Sequence, residues 1–237
     1  VGPGVAYLKK FVLMRLVCLS DTHSFHDRIA GGVPDGDVLI HAGDFCGQNS
    51  KIAVGTFLEW WAEQPHKHKV LIAGNHDGNF EFDPTWCRKA LAEICPETHY
   101  LQDTGCEIEG VKFFGEPWQP EFNNWHFNLP RGSKLAEKWA LIPDDTDVLV
   151  THGPPHGILD ECPEWLPTFN QSRTKTVHVG CEELTKALVR IKPKVHVFGH
   201  IHEGYGRHLG ENGTLYINAA NVDGQYQPVN PAQVVDI

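Results

Sequence analysis

Residues 16–23 read Leu-Val-Cys-Leu-Ser-Asp-Thr-His, an apolar run that halts on a carboxylate and, two residues later, an imidazole. The same grammar recurs four times. Val38-Leu-Ile40 leads to Gly43-Asp44, and Val70-Leu-Ile-Ala73 leads to Gly74-Asn75-His76-Asp77. Val148-Leu-Val150 leads to Thr151-His152-Gly153, and Val195-His-Val-Phe198 leads to Gly199-His200-Ile201-His202. Runs this short and this apolar predict central strands buried on both faces. Helical patterns fall between them at 51–64, 86–94 and 181–191. The first sets Ile52, Val54, Phe57, Leu58 and Trp61 on one side and ends at Pro65. Strands alternating with helices predict an α/β fold with a largely parallel sheet.

Further strands are expected at 106–109 and 112–115, around Glu109-Gly110, and at 214–218 after Glu211-Asn212-Gly213. The stretch 116–131, rich in Pro, Asn and aromatics, reads as irregular. No repeat or linker interrupts the chain, so one domain is expected over 11–237, preceded by an N-terminal arm over 1–10. Lys9-Lys10 and the apolar residues after it have the outline of a signal peptide. Arg15 interrupts that run, which passes into Asp21 with no small-residue cleavage site, so a buried strand is expected instead.

Composition narrows the partners. Of 237 residues, 41% are hydrophobic and 21% charged, a mixture that can bury a core. Twenty basic residues face thirty acidic ones, for a formal charge of −10. A protein that grips nucleic-acid backbone by charge has the opposite balance, so no nucleic-acid polymer is expected as a partner. No apolar run approaches the ~20 residues that cross a bilayer, so no membrane partner is expected. The seven cysteines form no C-x-x-C pair. Free thiols and a cytoplasmic location are expected rather than a zinc ribbon or a disulfide framework.

In open α/β sheets, ligands gather beyond the carboxyl ends of the strands. Those ends carry Asp21, His23, Asp44, Asn75, His152, His200 and His202. In extended chain, residues two apart point the same way, which pairs Asp21 with His23 and His200 with His202. Seven oxygen and nitrogen donors are too many for one tetrahedral ion with an open position. They suit two ions sharing a carboxylate, ~3.5–4 Å apart. With no thiolate at these ends, Mn, Fe or Zn is favoured over Cu(I) or an iron–sulfur cluster. His66-Lys67-His68, a second H-x-H, is read as solvated loop, and His41 and His196 as core histidines beside the ligands. Cys46 is read as a small buried hydrophobe. Trp118, Phe122, Trp125 and Phe127 either stack a nucleobase or pack their own loop. Asn123 and Arg131 either contact substrate or satisfy loop backbone.

Taken in order, the motifs D-x-H, G-D, G-N-H-D, T-H-G and G-H-x-H resemble the calcineurin-like metallophosphoesterase superfamily, from about Leu16 to Asn218. Gly115-Glu-Pro-Trp118 through Asn128-Leu-Pro-Arg131-Gly132 is similar to the animal metallophosphoesterase-domain-containing group. So are Thr151-His-Gly-Pro-Pro155 and His196-Val-Phe-Gly-His-Ile-His-Glu-Gly-Tyr205-Gly. The resemblance implies a four-layer α/β/β/α sandwich of two mixed sheets. It also implies hydrolysis of phosphodiesters, such as cyclic nucleotides, by hydroxide generated between two divalent ions, manganese first and iron or zinc as alternatives. Asp21, His23 and His202 would hold one ion, and Asn75, His152 and His200 the other, with Asp44 bridging. His76 would protonate the leaving oxygen, and Asp77 is expected to fix its tautomer. Trp118, Asn123, Trp125 and Arg131 are the candidate substrate contacts.

Two details bear on activity. The Ser/Thr protein phosphatases carry G-D-x-x-D-R-G, but here Gly43-Asp44 continues as Phe45-Cys46-Gly47-Gln48, which argues against that reading. Some members of the metallophosphoesterase-domain-containing group have Gly as the first ligand of G-H-x-H. Here it is His200, so the second site is expected to be complete. The alternatives are a nucleotide phosphomonoesterase and a non-catalytic nucleotide-binding protein, and the intact ligand set argues against the latter.

Overall fold

The computed structural model describes residues 13–164 and 175–237. The arm expected over 1–10 lies outside them. In chain order the first elements are β1 (Arg15–Leu19), β2 (Val38–Ala42), α1 (Lys51–Glu63), β3 (His68–Ile72), α2 (Asn79–Phe82), α3 (Pro84–Ile94) and β4 (Thr98–Tyr100). Next come β5 (Thr104–Ile108), β6 (Val111–Glu116), β7 (Gln119–Pro120), β8 (Asn128–Leu129), α4 (Ser133–Trp139) and β9 (Val148–Thr151). The last are β10 (Glu161–Pro163), β11 (Thr176–His178), α5 (Glu182–Ile191), β12 (Val195–Phe198), β13 (Gly206–Leu209), β14 (Leu215–Asn218) and β15 (Gln233–Asp236).

The period-two alternation of the strands decides the layering. Leu16, Cys18, Val38, Ile40, Val70 and Ile72 project from one sheet onto Phe113, Val148, Val150, Val195, Val197 and Ile217 of another. Their neighbours Val17, Leu19, Leu39 and Leu71 point the other way, under Val54, Phe57, Leu58 and Trp61 of α1 and Leu91 of α3. The outer face of the second sheet sets Phe114, Leu149, Phe198 and Tyr216 against Leu135 and Trp139 of α4 and Leu184, Leu188 and Ile191 of α5. The result is the expected α/β/β/α sandwich, because a strand that is apolar at every position needs cover on both faces.

The first sheet runs β15-β1-β2-β3-β4, with β15 antiparallel and the rest parallel. The second runs β13-β14-β12-β9-β6-β5, parallel from β14 to β6 and antiparallel at both margins. Both sheets are therefore mixed. A bridge between Ser20 and Ala220, with Asn221 N–H donating to the Ser20 carbonyl at 2.8 Å, ties the end of β1 to the chain leaving β14. That tie brings the carboxyl ends of the two sheets together.

Local chemistry sets the helix boundaries. Ser50 Oγ accepts from Ala53 N–H at 3.0 Å and caps α1, while Asp83 caps α3 ahead of Pro84 at its first position. Ile52 does not share the buried face expected of it and is 83% exposed. Two residues along a helix is about 200° of rotation, so Val54, Phe57, Leu58 and Trp61 form the buried stripe and Ile52 faces away. His66-Lys67-His68 is also corrected. His66 is buried with its Nε2 on the Pro34 carbonyl at 2.9 Å, and His68 opens β3. The stretch 116–131 is irregular apart from the short parallel pair β7–β8.

Leu149 is fully buried between the second sheet and α5. Leu149→Ala is expected to cost about 2–5 kcal/mol in urea unfolding, the range for a buried large-to-small change that leaves a cavity.

Candidate metal centre

Backbone bonds first bring the strand-end loops together. Asp21 N–H donates to Gly43 O at 2.9 Å, His23 N–H to Asp44 O at 3.0 Å and Gly199 N–H to His152 O at 2.9 Å. Four of the expected ligands, Asp21, His23, Asp44 and His200, adopt positive φ, between 42° and 67°. Conformations of this kind cost of order 1–3 kcal/mol each and persist only where the surroundings impose them. The glycines of the motifs make room for the crowding. A Cβ on Gly43 would stand 2.7 Å from His152 Nδ1 and from Ala73 O, and one on Gly199 would collide with Asp21 and Ser20. Gly43 and Gly199 therefore each let a neighbouring candidate ligand approach.

The side chains converge in two overlapping groups. Asp21, His23 and His202 form one, Asp44, His152 and His200 the other, and a third set of His23, Asp44 and His76 overlaps both. His23 Nε2 and His202 Nε2 lie 3.2 Å apart, and Asp21 Oδ1 lies 3.8 Å from the former and 3.4 Å from the latter. In the second group, His152 Nε2 stands 2.9 Å from Asn75 Oδ1 and 3.4 Å from Asp44 Oδ2. Asp44 Oδ2 is also 3.8 Å from His23 Nε2, so one carboxylate oxygen faces both groups.

Hydrogen bonds behind the rings turn their ligating atoms inward. His152 Nδ1–H donates to Ala42 O at 2.9 Å and His202 Nδ1–H to Asp223 O at 3.1 Å. Each bond leaves Nε2 facing the cluster, the arrangement that orients imidazole ligands on a metal. Asp21 Oδ1 is buried and has no hydrogen-bond partner among the described residues. An unpaired, buried carboxylate oxygen among imidazole nitrogens is the local signature of a cation-binding donor set. The residues present therefore fit two hard or borderline divalent ions.

The charges of the metal-free chain support that fit. Burial alone would raise the Asp21 pKa, but His202 and His152 outweigh it and hold the carboxyl well below its usual range. Asp44 is likewise pushed up by burial and carried far down by His152, His76 and His23. Burial pulls His152 down, yet Asp44 and Asp21 overcome it and lift the pKa to about 9. Burial leaves His200 at about 3 and, against Asp44 and Asp21, His23 at about 4. Without metal, protons on some imidazoles take the place of the cations.

A turn closed by Asp77 N–H to Gly74 O, at 3.0 Å, swings both Asn75 and His76 toward the cluster. His76 N–H donates to Asp44 Oδ1 at 2.7 Å, and its ring meets His23 edge-on at 4.6 Å. The role expected for Asp77 is corrected. Its carboxylate accepts from Asp44 N–H, Gly74 N–H and Cys46 N–H at 2.7, 2.8 and 2.9 Å, so it organises the two ligand loops. His76 Nδ1–H instead donates to Gly47 O at 3.1 Å. Burial, then Asp44, raise the Asp77 pKa to about 8 against those amide bonds.

The candidate substrate contacts divide. Trp125 stacks on His76 with centroids 4.2 Å apart, and Phe122 stands edge-on to His200 at 6.4 Å. Trp118 is held elsewhere, with Nε1–H donating to Asp103 at 2.6 Å, Lys138 Nζ over its ring at 4.1 Å and Phe127 beside it. The Arg131 guanidinium is spent on the carbonyls of Gly180 and Val179 at 2.8 and 2.7 Å. Phe127 is fully buried. These three therefore read as loop structure, while Asn123 is exposed and its backbone carbonyl accepts from Asn128 Nδ2 at 3.5 Å. His41 and His196 are buried, with Nε2 on Thr22 and Thr151 respectively, and Cys46 is buried in the core beneath α1. Tyr226 was not foreseen. It stands edge-on to His23 at 4.9 Å and to His202 at 5.0 Å, and no motif marks it.

Comparison with known proteins agrees with this geometry. Residues 14–204 match the family described as calcineurin-like phosphoesterase. Metallophosphoesterase domain-containing protein 1 of Homo sapiens is 43% identical over 243 residues, covering 94% of this chain and 71% of that protein. The UPF0046 protein K07C11.7 of Caenorhabditis elegans is 39% identical over 227 residues, covering 92% of this chain and 71% of that one. The crystal structure of TT1561 from Thermus thermophilus shares the fold at a TM-score of 0.57 and 12% identity, covering 95% of this chain and 99% of that one.

The raised His152 pKa has a signed consequence. At pH 7 the metal-free ring carries a proton, which a metal must displace from Nε2. Affinity for a divalent ion at the Asn75, His152 and His200 set is therefore expected to rise as pH goes from 7 toward 9, with about one proton released from His152 at pH 7. Over the same interval the metal-free fold should lose stability, since a raised folded-state pKa stabilises fully only below the unfolded value, about 6.5. Calorimetric titration in buffers of different ionisation enthalpy reads the proton release, and urea unfolding of metal-free protein reads the stability.

Proposed function

The chain belongs to the calcineurin-like phosphoesterase family, whose members are metal-dependent phosphoric ester hydrolases, and on that premise we propose that it hydrolyses small phosphodiesters, cyclic nucleotides among them. The observation that carries the reading is Asp44 Oδ2 set between His23 and His152, with a further donor group on either side. Asp21, His23 and His202 would hold one ion, Asn75, His152 and His200 the other, and Asp44 both. Manganese is the leading candidate, with iron or zinc as alternatives. When bound, two such ions withdraw charge from phosphoryl oxygens and make hydroxide accessible near neutral pH.

The chain's own groups then do the remaining work. Carboxylates and imidazoles locked by backbone bonds fix where the phosphoryl group sits, so positioning is arranged before substrate arrives. Asp77 ties the loop of Asp44 to the loop of Asn75 and His76 through three amide bonds. With Nδ1–H on the Gly47 carbonyl, His76 has Nε2 left to pass a proton to the leaving oxygen. Trp125 covers the ring face at an interplanar angle of 27°, which holds its plane.

A diester is favoured over a monoester on charge. Among the described residues Asp21 and Asp44 pair only with histidines, and no Lys or Arg side chain pairs with either of them. A singly charged diester needs less compensation than a monoester dianion. Seven free cysteines, five of them buried, support a reducing compartment such as the cytoplasm.

With manganese restored, bis-p-nitrophenyl phosphate is expected to turn over faster than p-nitrophenyl phosphate; the reverse order would indicate a phosphomonoesterase. His76→Ala should keep both metal equivalents and slow poor leaving groups by about 10²–10⁴ while sparing good ones. Trp125→Ala should show the same leaving-group bias more weakly, with Trp125→Phe restoring most of the rate. Equal losses for good and poor leaving groups would remove His76 from the acid role.

A further inference from the structure

A groove of about 870 Å³ starts at His23 and Tyr226 and runs along the outward face of α1. It shares those two residues with the metal centre, and Gly47, whose carbonyl receives the His76 hydrogen bond, also lines it. The groove therefore opens at the metal centre, beside the loop that holds the His76 ring.

The lining has an unusual charge pattern. Asp27, Glu59 and Glu63 border the groove, and among the described residues no Lys or Arg lines it. Arg28 partly offsets Asp27 at 3.9 Å, but Glu59 and Glu63 make no ion pair among the described residues. Trp60, Phe25 and Tyr226 give it aromatic surface. His26 also lines it, 7% exposed and packed against Trp60 at 5.0 Å, and its Nδ1 has no hydrogen-bond partner among the described residues. The near end sits by the N-terminus of α1, the positive end of the helix. Glu59 lies ~13 Å farther along the axis and Glu63 ~6 Å beyond it, at 1.5 Å per residue. The groove is thus polarised, suited to an anion at the metal end and a cation at the far end. A second phosphate would meet carboxylates there.

We propose that the groove is the leaving-group subsite and that it takes an alcohol arm ending in a cationic ammonium group. Carboxylates and aromatic faces are the surfaces that bind alkylammonium. The proposal rests on the phosphodiesterase reading above. In the reaction, water delivers a hydroxyl group to phosphorus and the bond from phosphorus to the arm oxygen breaks with its electron pair. His76 gives that oxygen a proton, and the remaining proton of water restores His76.

The test uses the metal-loaded full chain and methyl phosphodiesters whose second arm ends in trimethylammonium, against identical arms ending in uncharged tert-butyl. Arms range from two to about ten carbons, the longest spanning ~13 Å at ~1.2 Å of reach per bond, enough for Glu59. Release of the arm alcohol is followed by mass spectrometry. At the best length kcat/KM is expected to favour the cationic arm by about tenfold, roughly 1.4 kcal/mol. In the double variant Glu59→Gln, Glu63→Gln that ratio should fall toward one; both positions are exposed, so folding is not at stake. Equal rates for the two arms, or a preference that survives in the variant, would overturn the proposal. If neither these diesters nor bis-p-nitrophenyl phosphate is hydrolysed, the phosphodiesterase reading has failed. The subsite is then judged by saturation-transfer NMR of the free arm alcohols, where equal signals from the charged and neutral ends would overturn it.

Discussion

Two carboxylates, Asp21 and Asp44, sit fully buried at the junction of two sheets, and the surrounding structure is arranged to keep them charged. A lone carboxylate in such a place would take up a proton rather than stay ionised. Here imidazoles from four different loops close around both, and the carbonyls of Ala42 and Asp223 turn two of those rings so that their Nε2 atoms point inward. The cluster is thus a set of converging donors whose mutual repulsion bound cations would relieve. Its backbone carries the matching strain, with four candidate ligands at positive φ and glycines beside them giving up side-chain volume.

The sandwich explains how so crowded a centre is held. The central strands are apolar on both faces, so each is held between two layers, helices on one side and the other sheet on the other. Parallel strands in both sheets deliver their carboxyl ends to a shared edge, where the Ser20–Ala220 bridge fixes the sheets to each other. Asp77 then couples the loops of Asp44 and His76, which makes it a structural partner of the site and not the tautomer-setting residue that sequence spacing suggested.

What was legible in the sequence is what depends on short-range pattern. Leu16 to Leu19 alternate between two apolar environments and stop at a ligand, and that rhythm is visible without coordinates. The seven candidate donors could be singled out because they stand at the ends of five strands. The rim of the site was not legible, because loops bring it together. Trp125 reaches His76 and Tyr226 reaches His23 and His202 across long separations in the chain, with no periodic signal to announce them. Trp118 and Arg131 carry chemistry suited to substrate, yet the fold uses them on Asp103 and on backbone carbonyls, an outcome set by loop geometry alone. Ile52 shows the smaller error of reading a helix face too broadly.

The most direct test of a paired-cation centre is anomalous diffraction from crystals soaked in a manganese salt. Two peaks ~3.5–4 Å apart are expected, one beside Asp21, His23 and His202 and the other beside Asn75, His152 and His200, with Asp44 reaching both. A single peak, or ions bound away from these side chains, would contradict it.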